Sequence, residues 1–287
     1  MKDIIVKNIS YKVHGKEILH DISFEINEQE SFALLGENGA GKSTLIDIIL
    51  DNLSPSKGSV YFFEQEQKDF KDIGIIHDHL PLFALLKTWE VVDYFCSIYG
   101  TSFQAVKEKY FDILDIHKIK NSFIKELSQG EKKRVSVLLT VMHDPKVVIM
   151  DEPFANLDPT VIDKIWTIVK GQNRTLFFST HNWKDAEFFA DKIAFIHNGK
   201  IVMEPDSPKN YLNMLPQPQK IIVEYAEDIE KSLNDIPFYV HDKHIYIFYD
   251  KQESLMKTIN SFTNNYSITK VDLKDVFLYF TKSKNHV

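Results

Sequence analysis

Residues 36–44 read Gly36-Glu37-Asn38-Gly39-Ala40-Gly41-Lys42-Ser43-Thr44 and lie between an apolar run, Ser31 to Leu35, and a helix-like run, Leu45 to Leu50. Glycines at these spacings let successive backbone N–H groups turn inward around a phosphate. The helix that follows points its partially positive end at the same place, and Lys42 adds a full charge. Ser43 then offers a hydroxyl to a magnesium ion. The chemistry implied is the binding of a nucleotide through its phosphates. Downstream, Val147-Val-Ile-Met-Asp151-Glu152 reads as a buried strand that delivers two carboxylates at its C-terminal end, where an open α/β sheet places its ligands. Asp151 is positioned to hold magnesium, directly or through water, and Glu152 to act as general base on an attacking water. A third piece, Leu127-Ser128-Gln129-Gly130-Glu131, precedes a helix. A Ser and a Gly at a helix N-terminus make another anion site. One sheet with one phosphate loop needs a second phosphate reader only if there is a second nucleotide. The pattern therefore implies a dimer in which each chain caps the other's ATP.

These residues must be held by a sheet. Residues 3–35 give three β-like runs, Ile4 to Val13, Glu17 to Ile26 and Ser31 to Leu35, read as one small sheet leading into the loop. Pro55 to Gly58 reads as a turn and Val60 to Phe63 as a further strand. Residues 88–143 are helical in pattern: Trp89, Val92, Phe95, Cys96 and Tyr99 recur at three- and four-residue spacing, as do Val135, Leu138, Leu139 and Met142. Both stripes read as core. From residue 146 buried strands alternate with helices, which predicts a parallel sheet covered on both faces. Residues 205–218 contain prolines at 205, 208, 216 and 218 and read as a linker. Beyond it the order β-α-β-β-α-β, ending in a short helix, predicts a small ferredoxin-like domain over 219–287. The expected fold is thus an α/β phosphate-loop NTPase domain, residues 1–204, with an N-terminal antiparallel β subdomain, a helical subdomain at about 88–143 and a C-terminal α+β appendix.

With 287 residues, of which 44% are hydrophobic, the chain can bury a large core. A net charge of −7 argues against a protein that coats nucleic acid. The single Cys96 excludes an intramolecular disulfide and a multi-cysteine zinc site, and fits a reducing compartment. The first ten residues are too polar for a signal peptide, and no stretch reaches 18 uninterrupted apolar residues. The expected place is the cytoplasmic face of the cell membrane, with any membrane role running through a partner.

The three motifs, in this order, resemble those of ATP-binding-cassette (ABC) ATPases. Residues 36–44 look like Walker A, Leu127 to Glu131 like the signature, and Val147 to Glu152 like Walker B. Asn156-Leu-Asp158 looks like the D-loop and Ser179-Thr-His181 like the H-loop, with His181 contacting the γ-phosphate. The resemblance covers about residues 4–204 and implies that ATP closes two cassettes face to face, that hydrolysis reopens them, and that transmembrane subunits follow. Lys42, Glu152 and His181 are then catalytic; Ser128, Gln129, Gly130 and Asp158 contact the partner's ATP; Ser43, Asp151 and Asp78 face Mg2+. The motifs are complete enough for a homodimer, with a paralogue as the alternative second ATPase subunit.

The sequence departs from the family pattern in three places. The signature carries Gln129 for the usual Gly and Glu131 for the usual Gln, a change expected to alter local charge more than function. Asp78, flanked by His77 and His79, stands where Gln or Glu normally reaches the magnesium. Val13 stands where an aromatic ring normally stacks on adenine; Tyr11, two residues earlier and on the same strand face, is the candidate substitute. Thr88 to Gly100 and Val271 to Thr281 resemble the ATP-binding subunits of ABC-2 type exporters, the daunorubicin-resistance-like group. That resemblance favours export through a separate transmembrane subunit, with Leu80 to Leu86 as a contact for it. The alternatives are an importer cassette or a soluble ABC ATPase not coupled to transport.

Overall fold

The structure, a computed structural model, describes residues 1–65, 70–76, 83–155, 157–171, 173–233, 236–249 and 253–282. The chain divides into two compact units. One comprises Met1–Asp185 and Phe189–Pro205, the other Ala186–Phe188 and the chain from Asp206 onward.

In the first unit, β1 (Lys2–Val13) pairs antiparallel with β2 (Lys16–Asn27). The chain then passes through β3 (Ser31–Leu35) into α1 (Lys42–Ile49) and returns as β4 (Lys57–Phe62), which pairs on the other side of β1. The third run of the N-terminal segment therefore leaves the small sheet, contrary to expectation. Every residue of β3 is buried, whereas β2 alternates buried and exposed positions over its second half. A fully apolar strand belongs inside a sheet covered on both faces, and an alternating one at a face that meets water. The strand after α1 also starts at Lys57, inside the segment expected to be a turn.

β3 joins a six-stranded sheet with β5 (Ile73–Ile76), β6 (Val147–Met150), β7 (Thr175–Thr180), β8 (Lys192–His197) and β9 (Lys200–Ile201), in the order β5-β6-β7-β3-β8-β9. All pairs are parallel except β8 with β9. β6 and β7 are buried throughout, as strands flanked on both faces must be. The two sheets share one core. Phe24 of β2 stacks on Phe32 of β3 at 4.9 Å, and Leu45, Ile46, Ile48 and Ile49 of α1 pack into the same cluster. Each such side chain, fully buried, contributes about 1.5–3 kcal/mol.

The helical stretch resolves into α2 (Thr88–Tyr99), α3 (Phe103–Tyr110), α4 (Ile116–Ile119) and α5 (Gln129–Val141). Its second stripe is core as expected, with Val135 and Leu138 fully buried. The first is core only in part: Val92 and Cys96 are buried, but Trp89 and Tyr99 are 39% and 37% exposed. Two further helices matter below: α6 (Pro159–Lys170), which follows the acid pair, and α7 (Trp183–Phe189), which follows β7.

The second unit opens with α8 (Pro208–Asn213), inside the stretch expected to be a linker. Ser207 caps this helix, accepting from Asn210 N–H at 3.2 Å, and Pro208 takes the first helical position, where a missing N–H costs nothing. Tyr211 is fully buried. The proline density marks a capped helix start here. β10 (Gln219–Glu224), α9 (Glu227–Ser232), β11 (Phe238–His241), β12 (His244–Tyr249), α10 (Glu253–Phe262), β13 (Tyr266–Lys270) and α11 (Leu273–Lys282) follow. The antiparallel sheet has the order β11-β12-β10-β13, the ferredoxin-like arrangement. Ile221, Val223, Ile245 and Ile247 of the sheet form a core with Ile229 of α9 and Leu255 and Ile259 of α10. Lys220 is buried against Asp275 of α11, its Nζ 2.6 Å from each carboxylate oxygen. Tyr239 donates to the same carboxylate at 2.5 Å; burial, then the Asp275 charge, pushes its hydroxyl pKa strongly up.

Candidate functional site

The parallel register brings the C-terminal ends of β3, β6 and β7 side by side, with β7 in the middle. The loop after β3 begins at Gly36, whose N–H donates to the carbonyl of Thr180 at 3.2 Å. A Cβ at Gly36 would lie 2.3 Å from the backbone oxygen of Ile196, so no side chain fits. Gly41 closes the loop at φ +107° as the N-cap of α1. It offers no side chain to the first turn of that helix, and no acid sits there, so the leading N–H groups of α1 remain available to an anion. Glu37, Asn38 and Gly39 form the exposed rim, Ala40 is buried below it, Ser43 is exposed and Thr44 half-buried.

Lys42 is only 6% exposed, yet it is not paired into a core. Its Nζ donates to the carbonyls of Gly36 at 2.9 Å and Glu37 at 3.2 Å, and stands 3.3 Å from Glu152 Oε1. The ammonium thus lies across the mouth of the loop, held by the loop's own oxygens. Glu152 Oε2 meets His181 Nδ1 at 2.9 Å. One carboxylate therefore joins the residue after Gly41 to the residue after β7. The backbone of Glu152 is left-handed, φ +45°, which costs a residue with a Cβ roughly 1–2 kcal/mol. Its N–H donates to Ser179 Oγ at 3.0 Å, and the Ser179 hydroxyl donates to Asp151 Oδ1. Asp185, on α7, is also drawn toward this cluster. Burial first, and then the Glu152 charge, raises its carboxyl above the ordinary range.

Lys42, the adjacent pair Asp151 and Glu152, and His181 are thus gathered from three points of the sequence into one site. The donor set suits magnesium beside a phosphate: a serine hydroxyl and a carboxylate are hard oxygens, and that ion takes one or two such ligands while keeping water. Asp78, His77 and His79 lie outside the described residues, as do Leu80 to Leu82 and Asn156. Among the described residues, no cluster of three His, Cys, Asp or Glu side chains stands ready to hold a metal.

Tyr11 and Val13 do not share a face. The ladder between β1 and β2 shifts register at Ile9/Tyr11 and again at Tyr11/Lys12, which breaks the alternation. Tyr11 packs against the core while Val13 is 37% exposed.

The signature residues stand at the start of α5. Ser128 is the N-cap, accepting from Glu131 N–H at 3.3 Å. Glu131 Oε2 in return accepts from the Ser128 N–H and hydroxyl, each at 2.8 Å. These bonds hold the Glu131 carboxyl below the usual range. Ser128 and Gln129 are exposed and Gly130 half-buried. Asp158 caps α6, accepting from Thr160 N–H at 2.9 Å and its hydroxyl at 2.7 Å, which lowers its carboxyl pKa. The side-chain hydrogen bonds of Ser128 and Asp158 thus stay within their own turns.

Two contributors escaped the sequence reading. The Ser-x-x-Glu spacing of 128 and 131 is a capping-box pattern and was legible. Ser179 gave only a weak sign, a hydroxyl at the end of the apolar run Leu176-Phe-Phe178.

Comparison with known proteins gives the family. The sequence profile of the ABC transporter family matches residues 19–155. An uncharacterized ABC transporter ATP-binding protein of Bacillus subtilis, YxlF, is 31% identical over 239 residues, which is 80% of this chain and 78% of that protein. The lantibiotic transport ATP-binding protein SrtF of Streptococcus pyogenes is 29% identical over 206 residues, 70% of this chain and 90% of that one. Among solved structures, an ATP-binding subunit of an ABC transporter superposes with a TM-score of 0.67 at 25% identity, covering 74% of this chain and 92% of that one. The chain belongs to the ABC transporter ATP-binding proteins, the ATP-hydrolysing cassettes of transporters.

Proposed function

We propose that this cassette drives export through a separate transmembrane subunit, and that its ATP is hydrolysed between two cassettes closed face to face. The observation that carries this reading is Gly130. A Cβ there would meet nothing nearer than Leu157 Cδ2, at 3.8 Å, and the residue does not need a positive φ. Among the described residues nothing demands a glycine in the first turn of α5, where it costs stability relative to Ala. A glycine that internal packing does not require suits close approach by a group from outside. On this reading that group is the γ-phosphate bound to the partner cassette, met by Ser128, Gln129 and Gly130, with Asp158 alongside.

Within one cassette, the backbone of residues 36–44 cradles the phosphates and Lys42 turns from Glu152 to the β and γ oxygens. Phosphate and Glu152 compete for the same ammonium, so nucleotide binding frees one carboxylate oxygen of Glu152. The base becomes available when its substrate is present. Glu152 then orients and deprotonates the attacking water, and His181 holds both Glu152 and the γ-phosphate. Ser43 and Asp151, with Asp78 as the family resemblance implies, would hold Mg2+, which would supply positive charge beside the phosphate oxygens.

No described helix is long and apolar enough to cross a membrane; on this reading the pathway lies in another subunit, with the cassette at its cytoplasmic face. The relative named for lantibiotic transport supports a transport role; the outward direction rests on the exporter-like segments Thr88 to Gly100 and Val271 to Thr281. Leu85, 73% exposed, with Leu86 and Trp89, is the surface offered to that subunit. Affinity purification of the full chain from mild detergent extracts should recover a polytopic membrane protein. Leu85→Asp should reduce that recovery at least tenfold while ATP binding stays unchanged, and undiminished recovery by the variant would remove Leu85 from the surface.

A further inference from the structure

We infer that Ser179 is a positioning residue for the ATPase reaction: through one hydroxyl it sets the carboxylate of Asp151 and the backbone of Glu152 together. The register makes this contact unavoidable. Met150 pairs with Phe178, so the next step along the two parallel strands brings Asp151 beside Ser179. The hydroxyl is fully buried. It donates to Asp151 Oδ1 and accepts the Glu152 N–H at 3.0 Å. A hydroxyl is the smallest side-chain group that donates and accepts at once. Alanine would leave a carboxylate oxygen and an amide hydrogen without their partner.

What the hydroxyl holds is a strained turn. Glu152 at φ +45° has left the strand direction, and residues kept in such conformations persist only where their surroundings over-determine them. The Ser179 bond is applied at the amide where that departure begins. It also ties the acids to the rest of the site, because the next two residues of the same strand end do related work. The Thr180 carbonyl accepts from Gly36 N–H at 3.2 Å, and His181 Nδ1 meets Glu152 Oε2 at 2.9 Å. Three consecutive residues thus fix the phosphate loop, the acid pair and the far oxygen of the base relative to one another before any nucleotide arrives. Preorganisation of this kind acts on the reaction more than on substrate binding.

The inference rests on the roles proposed above for Asp151 and Glu152, so its test carries Glu152→Gln beside Ser179→Ala, both in the full chain. For Ser179→Ala the kcat for ATP should fall about ten- to a hundredfold while KM changes less than twofold. The Mg2+ concentration needed to half-saturate binding of a fluorescent ATP analogue should rise several-fold, with binding of that analogue in EDTA unchanged. A kcat within twofold of the parent overturns the inference. So does a loss of metal-free binding that matches the loss of kcat, which would mark Ser179 as merely structural. If Glu152→Gln keeps parental turnover, the assignment of the acid pair fails and takes the Ser179 role with it. If Glu152→Gln is inactive and Ser179→Ala is not, only the Ser179 role fails.

Discussion

Two helices of the first unit begin at glycine-bearing turns, and the chain treats their N-termini in opposite ways. The start of α1 is left without a side-chain cap, is walled by Ile196 and Leu19, and has Lys42 drawn across it. The start of α5 is exposed and closed by its own capping box, Ser128 with Glu131, and a Cβ at Gly130 would make only an ordinary 3.8 Å contact with Leu157 Cδ2. At α1 each departure from ordinary sequence has an internal cause: Gly36 because a Cβ would strike a carbonyl, Gly41 because φ is +107°. At α5 no described residue gives the glycine an internal cause. The difference supports the proposal that this chain completes one anion site itself and offers the other to a second cassette.

That contrast can be broken most directly by putting a methyl group into each turn. Gly36→Ala should be the larger effect: its Cβ would stand 2.3 Å from the Ile196 oxygen, so β8 or the loop must move. A loss of about 1–3 kcal/mol in denaturant unfolding is expected, with ATP binding weakened beyond detection by equilibrium fluorescence. Gly130→Ala should do the reverse. Its unfolding free energy should be unchanged or higher by up to ~1 kcal/mol, and single-cassette ATP binding should be unaffected. Steady-state turnover should nonetheless fall at least tenfold. Equal loss of stability in the two variants would erase the distinction between the sites.

A smaller effect sharpens the account of α5. Replacing Glu131 with Ala removes a carboxylate from the positive end of that helix, at a cost of ~0.3–1 kcal/mol at neutral pH. The Ser128 N–H and hydroxyl hold the Glu131 carboxyl below its usual range. Its contribution is therefore fully present above the unfolded value, about 4.3, and is lost as pH falls through the depressed folded value. The stabilities of parent and variant should converge in acid. A difference that persists below that range would show that Glu131 acts through packing.

Much of this was readable from sequence, for a physical reason: phosphate loops and buried strands constrain residue type at fixed spacing. Gly36 to Thr44 and Val147 to Glu152 each encode their backbone geometry locally, and the apolar runs Val147 to Met150 and Leu176 to Phe178 announce a covered parallel sheet. What was not readable depends on partners distant in sequence. Ser31 to Leu35 follows two strands of the small sheet, yet its place is beside Thr175–Thr180. Tyr11 and Val13 alternate on paper, but register shifts in the ladder with β2 separate them. The prolines at 205, 208, 216 and 218 suggested an extended linker, whereas Ser207-Pro208 starts a helix that buries Tyr211. Ser179 became visible only when the pairing of β6 with β7 set it beside Asp151.

The central claim is that the α5 turn completes a nucleotide site in a second cassette. It is tested most directly by the mass of the particle that ATP assembles. Glu152→Gln, which retains the binding residues and slows hydrolysis, should run as a monomer without nucleotide and as a dimer with ATP and Mg2+ in light scattering coupled to size exclusion. The double variant Glu152→Gln/Gly130→Ala should bind ATP with unchanged affinity and remain a monomer. Dimerisation of both variants to the same extent would contradict the account, because the second anion site would then have no part in closing the pair.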